Sequence, residues 1–204
     1  IFINKNNGKK LVYYPCPKNA NSSAKLFFAK HLGVDSQFIF ISDNIPQNKQ
    51  TIDDFNNKEN LINFLPSKQP FSEVNNVDIK CCIIRDPVKR FISAYKNRIL
   101  FHKDREFKDH HIDRILEKLD EGNFENRHFL PQNYFLGKNI DYYNFTADVE
   151  KIDVFQNKVN DFFDKTITFP KIQTGGKEFE ISLSNNQITK IKKIYKEDYD
   201  FLKI

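Results

Sequence analysis

The chain has 204 residues, 39% of them hydrophobic, enough for one α/β core and little besides. A formal net charge of +5 is a mild bias towards anionic ligands, too weak to point to nucleic acid. Three cysteines without C-x-x-C spacing argue against a disulfide framework or a thiolate metal site.

Ile1–Ile3 and Leu11–Tyr14 read as short strands joined across the Asn6-Asn7-Gly8 turn. Ser22 or Ser23 is placed to cap a helix whose apolar residues Leu26, Phe27, Ala29 and Leu32 end at Gly33. Phe38–Ile41 reads as a further strand, and Thr51 opens a helical stretch that Pro66 stops. Ile79–Ile84, interrupted only by Lys80, has the continuous apolar character of a strand buried on both faces of a parallel sheet. Asp86 is then a natural N-cap and Pro87 a natural first helical residue, with Val88, Phe91, Ile92, Tyr95 and Ile99 on the core face.

The charged stretch His102–His111 reads as solvated, and Ile112–Leu119 as a helix. Asn126–Gly137 is aromatic and irregular. Val149–Phe163 is helical, with Val154, Phe155, Val159 and Phe162 inward. Lys171–Lys177, holding Gly175-Gly176, is a loop that folds over a ligand or forms a plain surface turn. Ser184 caps a last helix with Ile188, Ile191, Ile194 and Tyr195 on one side. Cys16, Cys81 and Cys82 fall in or beside strands, as small apolar filler. Strands alternating with helices predict one three-layer α/β domain over 1–204: a central, mostly parallel sheet flanked by helices, with ligands at the carboxyl ends of its strands.

Two segments at such strand ends are shaped for phosphate. In Pro15-Cys16-Pro17-Lys18-Asn19-Ala20-Asn21-Ser22-Ser23, backbone N–H groups after Pro17 can form a nest at a helix start, with Lys18 adding charge and the serines adding donors. The competing reading is a capped helix with a solvated lysine. The segment lacks the glycines and the lysine placement of an ATP-binding P-loop, and no acidic residue is placed as a magnesium ligand. In Arg85-Asp86-Pro87, a guanidinium stands where it can clamp a phosphate, and Ser93 follows two turns into the helix. The competing reading pairs Arg85 with an acidic neighbour and leaves Ser93 merely exposed. Two such segments in one chain point to a nucleotide phosphorylated at both ends.

Pro17–Ser23 resembles the 5′-phosphosulfate loop of sulfotransferases, and Arg85-Asp86-Pro87-Val88-Lys89-Arg90-Phe91-Ile92-Ser93-Ala94-Tyr95 resembles their 3′-phosphate motif, R-D-P-x-x-R-x-x-S-x-Y. The nearest pattern is that of the carbohydrate sulfotransferases of the chondroitin, dermatan and HNK-1 type and their bacterial relatives. Asn126-Arg127-His128-Phe129-Leu130-Pro131-Gln132 is similar to that family's His-Trp-x-Pro block, with Phe129 in place of Trp. Glu150 and Tyr195-x-x-Asp198-Tyr199 echo its later segments, so the likeness runs from about Leu11 to Phe201.

The resemblance implies a P-loop-like fold and an enzyme using 3′-phosphoadenosine 5′-phosphosulfate (PAPS) as donor, a carbohydrate hydroxyl or amine as acceptor, and no metal. It places Lys18 on the bridging oxygen of the leaving 5′-phosphate. Asn19, Ala20, Asn21, Ser22 and Ser23 would hold the phosphosulfate, and Arg85 and Ser93 the 3′-phosphate. His128 is the first choice of base, against a structural role in its loop, because imidazole titrates near neutrality. Asp43 and Glu59 are the carboxylates available after the first helix. His31 reads as a helix C-terminal cation, and His102, His110 and His111 as a solvated face or acceptor rim.

Competing functions are an ATP-dependent small-molecule kinase and a non-catalytic nucleotide- or RNA-binding module. No apolar run is long enough to span a membrane, and no signal-peptide pattern precedes the first strand. A glycan on the Asn21-Ser22-Ser23 sequon would fill the first loop, so a cytoplasmic protein is expected. Ile1 stands where an initiator methionine would, which keeps a luminal Golgi domain without its anchor as the alternative.

Overall fold

The computed structural model describes residues 1–33, 70–107, 111–172, 176 and 178–204. The expected strand at 38–41 and helix from 51 lie outside these residues, as do Asp43, Glu59, His110, Gly175 and Lys177. Four strands, β1 (Phe2–Ile3), β2 (Lys10–Tyr14), β3 (Ile79–Ile84) and β4 (Phe145–Asp148), form one sheet in that order. The described helices are α1 (Asn21–His31), α2 (Pro87–Ala94), α3 (Ile112–Asp120), α4 (Gln132–Leu136), α5 (Ile152–Phe163), α6 (Asn185–Ile194) and α7 (Lys196–Leu202).

β1 pairs antiparallel with β2, while β2, β3 and β4 run parallel. Tyr14 stands opposite Cys82, and Ile84 opposite Asp148, so the carboxyl ends of the three parallel strands open at one edge. Alternation along the strands feeds two faces. Leu11, Tyr13, Cys81 and Ile83 pack with Phe27 and Phe28 of α1 and with Phe155 and Val159 of α5. Val12, Tyr14 and Cys82 face the other way, onto Phe135 and Leu136 of α4 and Phe201 and Leu202 of α7. The chain is therefore the expected three-layer α/β fold with a mostly parallel, P-loop-like sheet. Burying Phe155, which is 0% exposed, contributes roughly 1.5–3 kcal/mol.

A third cluster lies beyond the edge of this sandwich: Phe91 of α2, Ile115 and Leu116 of α3, Ile191 of α6, and Phe129 and Tyr195. Asp86 caps α2 by accepting the Lys89 N–H at 2.9 Å, with Pro87 first in the helix, as the sequence predicts. Ser184 likewise caps α6 in a reciprocal box with Gln187. All three cysteines are free and buried, and burial pushes the Cys16 thiol up to about 12. They are filler, as expected. No described helix is long and apolar enough to cross a membrane.

Several local expectations are corrected. Neither Ser22 nor Ser23 caps α1. The residue before the helix is Ala20, in left-handed backbone at φ 53°, and it gives no side-chain cap. The Ser23 hydroxyl instead accepts the Ile172 N–H at 3.3 Å. Val154 is exposed, because α5 begins after a 3₁₀ turn at Val149–Lys151 and buries Phe155, Val159, Phe162 and Phe163. His31 is no helix-end cation: Phe163 stacks on it, Phe27 meets it edge-on, and burial lowers its pKa to about 4. Tyr95 and Ile99 continue the core face in a π-helix, Tyr95–Phe101, rather than in regular α-helix. The stretch after His102 is not wholly solvated either. A 3₁₀ turn tucks Phe107 into the third cluster, and Arg98 holds Asp104 with two hydrogen bonds, at 2.5 and 2.7 Å.

Candidate active site

Because β2 and β3 are parallel neighbours, the loop after Tyr14 and the turn after Ile84 emerge side by side. The first loop is bent by two left-handed residues, Lys18 at φ 69° and Ala20 at φ 53°. Neither is glycine, so the conformation costs about 1–2 kcal/mol per residue. Backbone of this kind turns N–H groups towards a common centre, and the first turn of α1 leaves its N–H groups to be satisfied from outside the helix. No acidic residue stands in that turn.

The two segments touch. Arg85 Nη1 donates to the Lys18 carbonyl at 3.1 Å, while Arg85 Nε is buried with no hydrogen-bond partner among the described residues. Arg85 does not form a hydrogen-bonded acid pair; Asp148, Glu150 and Asp86 act on it only through their fields, and burial is the larger influence, lowering its pKa. Arg90 is 2% exposed and ties two loops together. Its Nε donates to the Pro17 carbonyl at 3.0 Å and its Nη1 to the Leu130 carbonyl at 2.7 Å.

Gln132 completes the joint. It is fully buried, and its Oε1 accepts from Asn19 Nδ2 at 2.7 Å and from the Arg85 N–H at 3.1 Å. Its Nε2 donates to the Arg85 carbonyl at 2.8 Å. Asn19 Nδ2 also reaches the Ile83 carbonyl at 2.8 Å and its backbone N–H donates to the Cys16 carbonyl at 3.2 Å, so Asn19 serves the scaffold with both side chain and backbone. Behind them the buried Asp198 carboxylate accepts the N–H groups of Gln132 and Asn133 at 2.8 and 2.9 Å, capping α4 from another helix.

The π-helix brings Asn97 to the site. His102 N–H bonds the Asn97 carbonyl at 3.0 Å, the five-residue spacing that widens the turn. Asn97 Oδ1 then accepts from Lys18 Nζ at 2.9 Å. Lys18 is largely enclosed, and burial with the fields of Arg85, Arg98 and Arg90 lowers its pKa to about 7. His128 lies in the same positive field. Burial, then Arg98, Lys18, Arg127 and Arg90, hold its imidazole neutral and lower its pKa to about 3, well below the near-neutral titration that made it the first choice of base.

The structure thus gathers Lys18, the loop from Asn19 to Ser23, Arg85 and His128 around one edge. Ala20 and Ser22 are half-buried in the turn, Asn21 Oδ1 is buried without a partner among the described residues, and Ser93 is half-buried on α2. Sequence reasoning missed Asn97, Arg98, Gln132 and the carboxylate of Asp104. Gln132 was visible only as the last letter of a motif. Nothing in the sequence marks a π-helix. The lone donor at Arg85 Nε, the two left-handed residues and the crowded cations all fit a ligand with two anionic groups, which would relieve the repulsion that lowers the Lys18 pKa.

A mostly parallel α/β sheet with paired cationic loops at its carboxyl edge, beside a neutral imidazole, is an architecture suited to an anionic ligand. The sequence profile of the sulfotransferase family matches residues 1–203, and the chain belongs to that family. No curated protein and no solved structure matches it.

Proposed function

We propose that the protein transfers a sulfuryl group from PAPS to a hydroxyl or amine of a carbohydrate acceptor. Membership of the sulfotransferase family supports the reaction class. The observation that carries the donor reading is the junction of the two loops, where Arg85 Nη1 meets the Lys18 carbonyl at 3.1 Å. A nucleotide phosphorylated at both ends has one anionic group for each loop.

When bound, the donor supplies an activated sulfuryl group on a phosphate anhydride. The backbone of 20–23 and the Lys18 ammonium hold the 5′ end, with Asn19 bracing the loop from behind, while Arg85 and Ser93 hold the 3′-phosphate. Lys18 Nζ hydrogen-bonds the bridging oxygen that departs with the electron pair of the broken S–O bond. His128 takes the acceptor proton as the new bond to sulfur forms. Charge stabilisation by a lysine and backbone donors makes this an in-line transfer without a metal. A cytoplasmic location accords with an open first loop, because a glycan on Asn21 would occupy it.

Calorimetric titration of the whole chain with adenosine 3′,5′-bisphosphate and with ATP tests the donor reading. Tighter binding of the bisphosphate is expected; preference for ATP with magnesium would favour a kinase. Binding that weakens steeply with salt and survives Lys18→Ala would favour a nucleotide- or RNA-binding module. Labelled donor offered to a panel of glycans then identifies the acceptor.

A further inference from the structure

Asn126 stands behind His128 in a way that fixes one feature of the imidazole. Its Oδ1 lies 2.8 Å from His128 Nδ1 and accepts the His128 backbone N–H at 3.0 Å. Its Nδ2 donates to Glu106 Oε1 at 2.8 Å and to Asp104 Oδ2 at 3.2 Å. Asn126 is 9% exposed, so water does not compete freely for these contacts.

The orientation of the amide follows from chemistry. A carboxylate is acceptor-only, so two carboxylates can face only the NH₂ end. Turning the amide over would set its oxygen against Asp104 and Glu106 and its NH₂ against the His128 N–H. Asp104 is held in place by the two hydrogen bonds from Arg98. With Oδ1 so directed, the atom it meets on the ring must be a donor, and Nδ1 must carry the proton.

We infer that Asn126 is a positioning residue: it locks His128 in the Nδ1–H tautomer and leaves Nε2 as the ring's one acceptor, available to receive the proton of an incoming nucleophile. Its catalytic consequence rests on the reading of His128 as the base; the tautomer itself does not. The cations whose fields act on the ring are Lys18 from the first loop, Arg90 from α2, Arg98 from the π-helix and Arg127 from its own loop, while Asp104 and Glu106 stand one hydrogen bond away behind the amide. Burial first, and these cations second, keep a second proton off Nε2, while the amide keeps the first on Nδ1. The Arg98–Asp104 pair works on both sides, its guanidinium opposing protonation and its carboxylate anchoring the amide. A ring without that anchor would divide between two tautomers, and only one is useful to a base.

Nitrogen-15 NMR of histidine-labelled full-length protein at neutral pH tests this. His128 is expected to show a protonated Nδ1 and a bare Nε2. In Asn126→Ala the two tautomers should mix, and kcat should fall on the order of ten- to a hundredfold with the donor KM unchanged. Asn126→Asp combined with Glu106→Gln keeps an acceptor on Nδ1 and turns the second oxygen onto an amide donor in place of the nearer carboxylate, so it should restore the single tautomer, recover most of the turnover and move the acidic limb of the pH profile upward. A proton on Nε2 in the wild-type protein, or a single unchanged tautomer in Asn126→Ala, overturns the inference. Should Asn126→Ala fail to fold, the spectra of the wild type and of Asn126→Asp with Glu106→Gln still decide it. Failure of the base reading shows separately, as wild-type turnover in His128→Ala with the wild-type spectrum as inferred.

Discussion

Lys18 Nζ donates to Asn97 Oδ1 at 2.9 Å, across a gap closed only because the chain widens into a π-helix between Tyr95 and Phe101. The amide accepts from the ammonium without neutralising it. It therefore aims the lysine while leaving its charge to a ligand. Lys18→Ala is expected to lower kcat on the order of 10²–10³-fold, the size of loss seen when one preorganised charge-stabilising donor is removed. Asn97→Ala should cost less, about tenfold, because the charge remains and only its direction is lost. Steady-state kinetics at saturating donor distinguish the two.

The lowered lysine pKa gives kcat/KM a basic limb. Lys18 is charged below its pKa, and in the free protein that value is about 7. Since kcat/KM reports the free enzyme, it should decline as pH rises through about 7. A guanidinium stays charged throughout this range, so Lys18→Arg should remove the limb even where its absolute rate is lower. A wild-type profile flat to pH 9 would contradict this account.

The same group links binding to protons. At pH 8 most of Lys18 is neutral in the free protein, whereas a bound anion favours its charged form. Binding of adenosine 3′,5′-bisphosphate should then take up close to one proton. Calorimetry in two buffers of different ionisation enthalpy measures the uptake, which should vanish in Lys18→Met.

Arg85 is expected to act on affinity more than on rate. Arg85→Ala removes a half-buried guanidinium whose Nε lacks a partner among the described residues, and should weaken bisphosphate binding by about 2 kcal/mol. The kcat at saturation should change little. Equal loss in kcat and in affinity would place Arg85 at the reacting centre instead.

Gln132 ties both loops to the scaffold with its side chain fully buried, so Gln132→Ala should cost about 3 kcal/mol of stability in urea unfolding. Donor affinity should fall with it. Lys89→Ala is the contrasting control. Its pair with Glu150 is more than half exposed, at 51% and 58%, and its loss should leave the unfolding midpoint unchanged.

The parts of this fold that were legible are those fixed by local chemistry. Ile79–Ile84 could only be an interior strand, Asp86 and Pro87 spell a helix start, and Ser184 spells another. The two cationic loops were legible for the same reason: charge, hydroxyls and a strand end fall within a few residues of one another. What stayed hidden depends on long-range partners. Asp198 has no visible task until α7 packs beside α4, and Gln132 none until β2 and β3 pair. Asn97 sits in an unremarkable Lys-Asn-Arg run, and one extra residue in a helical turn decides where it points. Ala20 was named as a phosphosulfate contact but not as the residue that precedes α1, because a left-handed alanine is the choice that propensity disfavours. Backbone strain gathers where a scaffold over-determines a loop, and here it borders the cations.

The parallel pairing of β2 with β3 has one more result. Adjacent strands lie about 4.8 Å apart and do not slide, because their hydrogen bonds fix the interval. A molecule held by both loops, as proposed, would be gauged against that fixed interval. Selection by length would follow from the ladder, a longer or shorter spacer between two anions seating one end only.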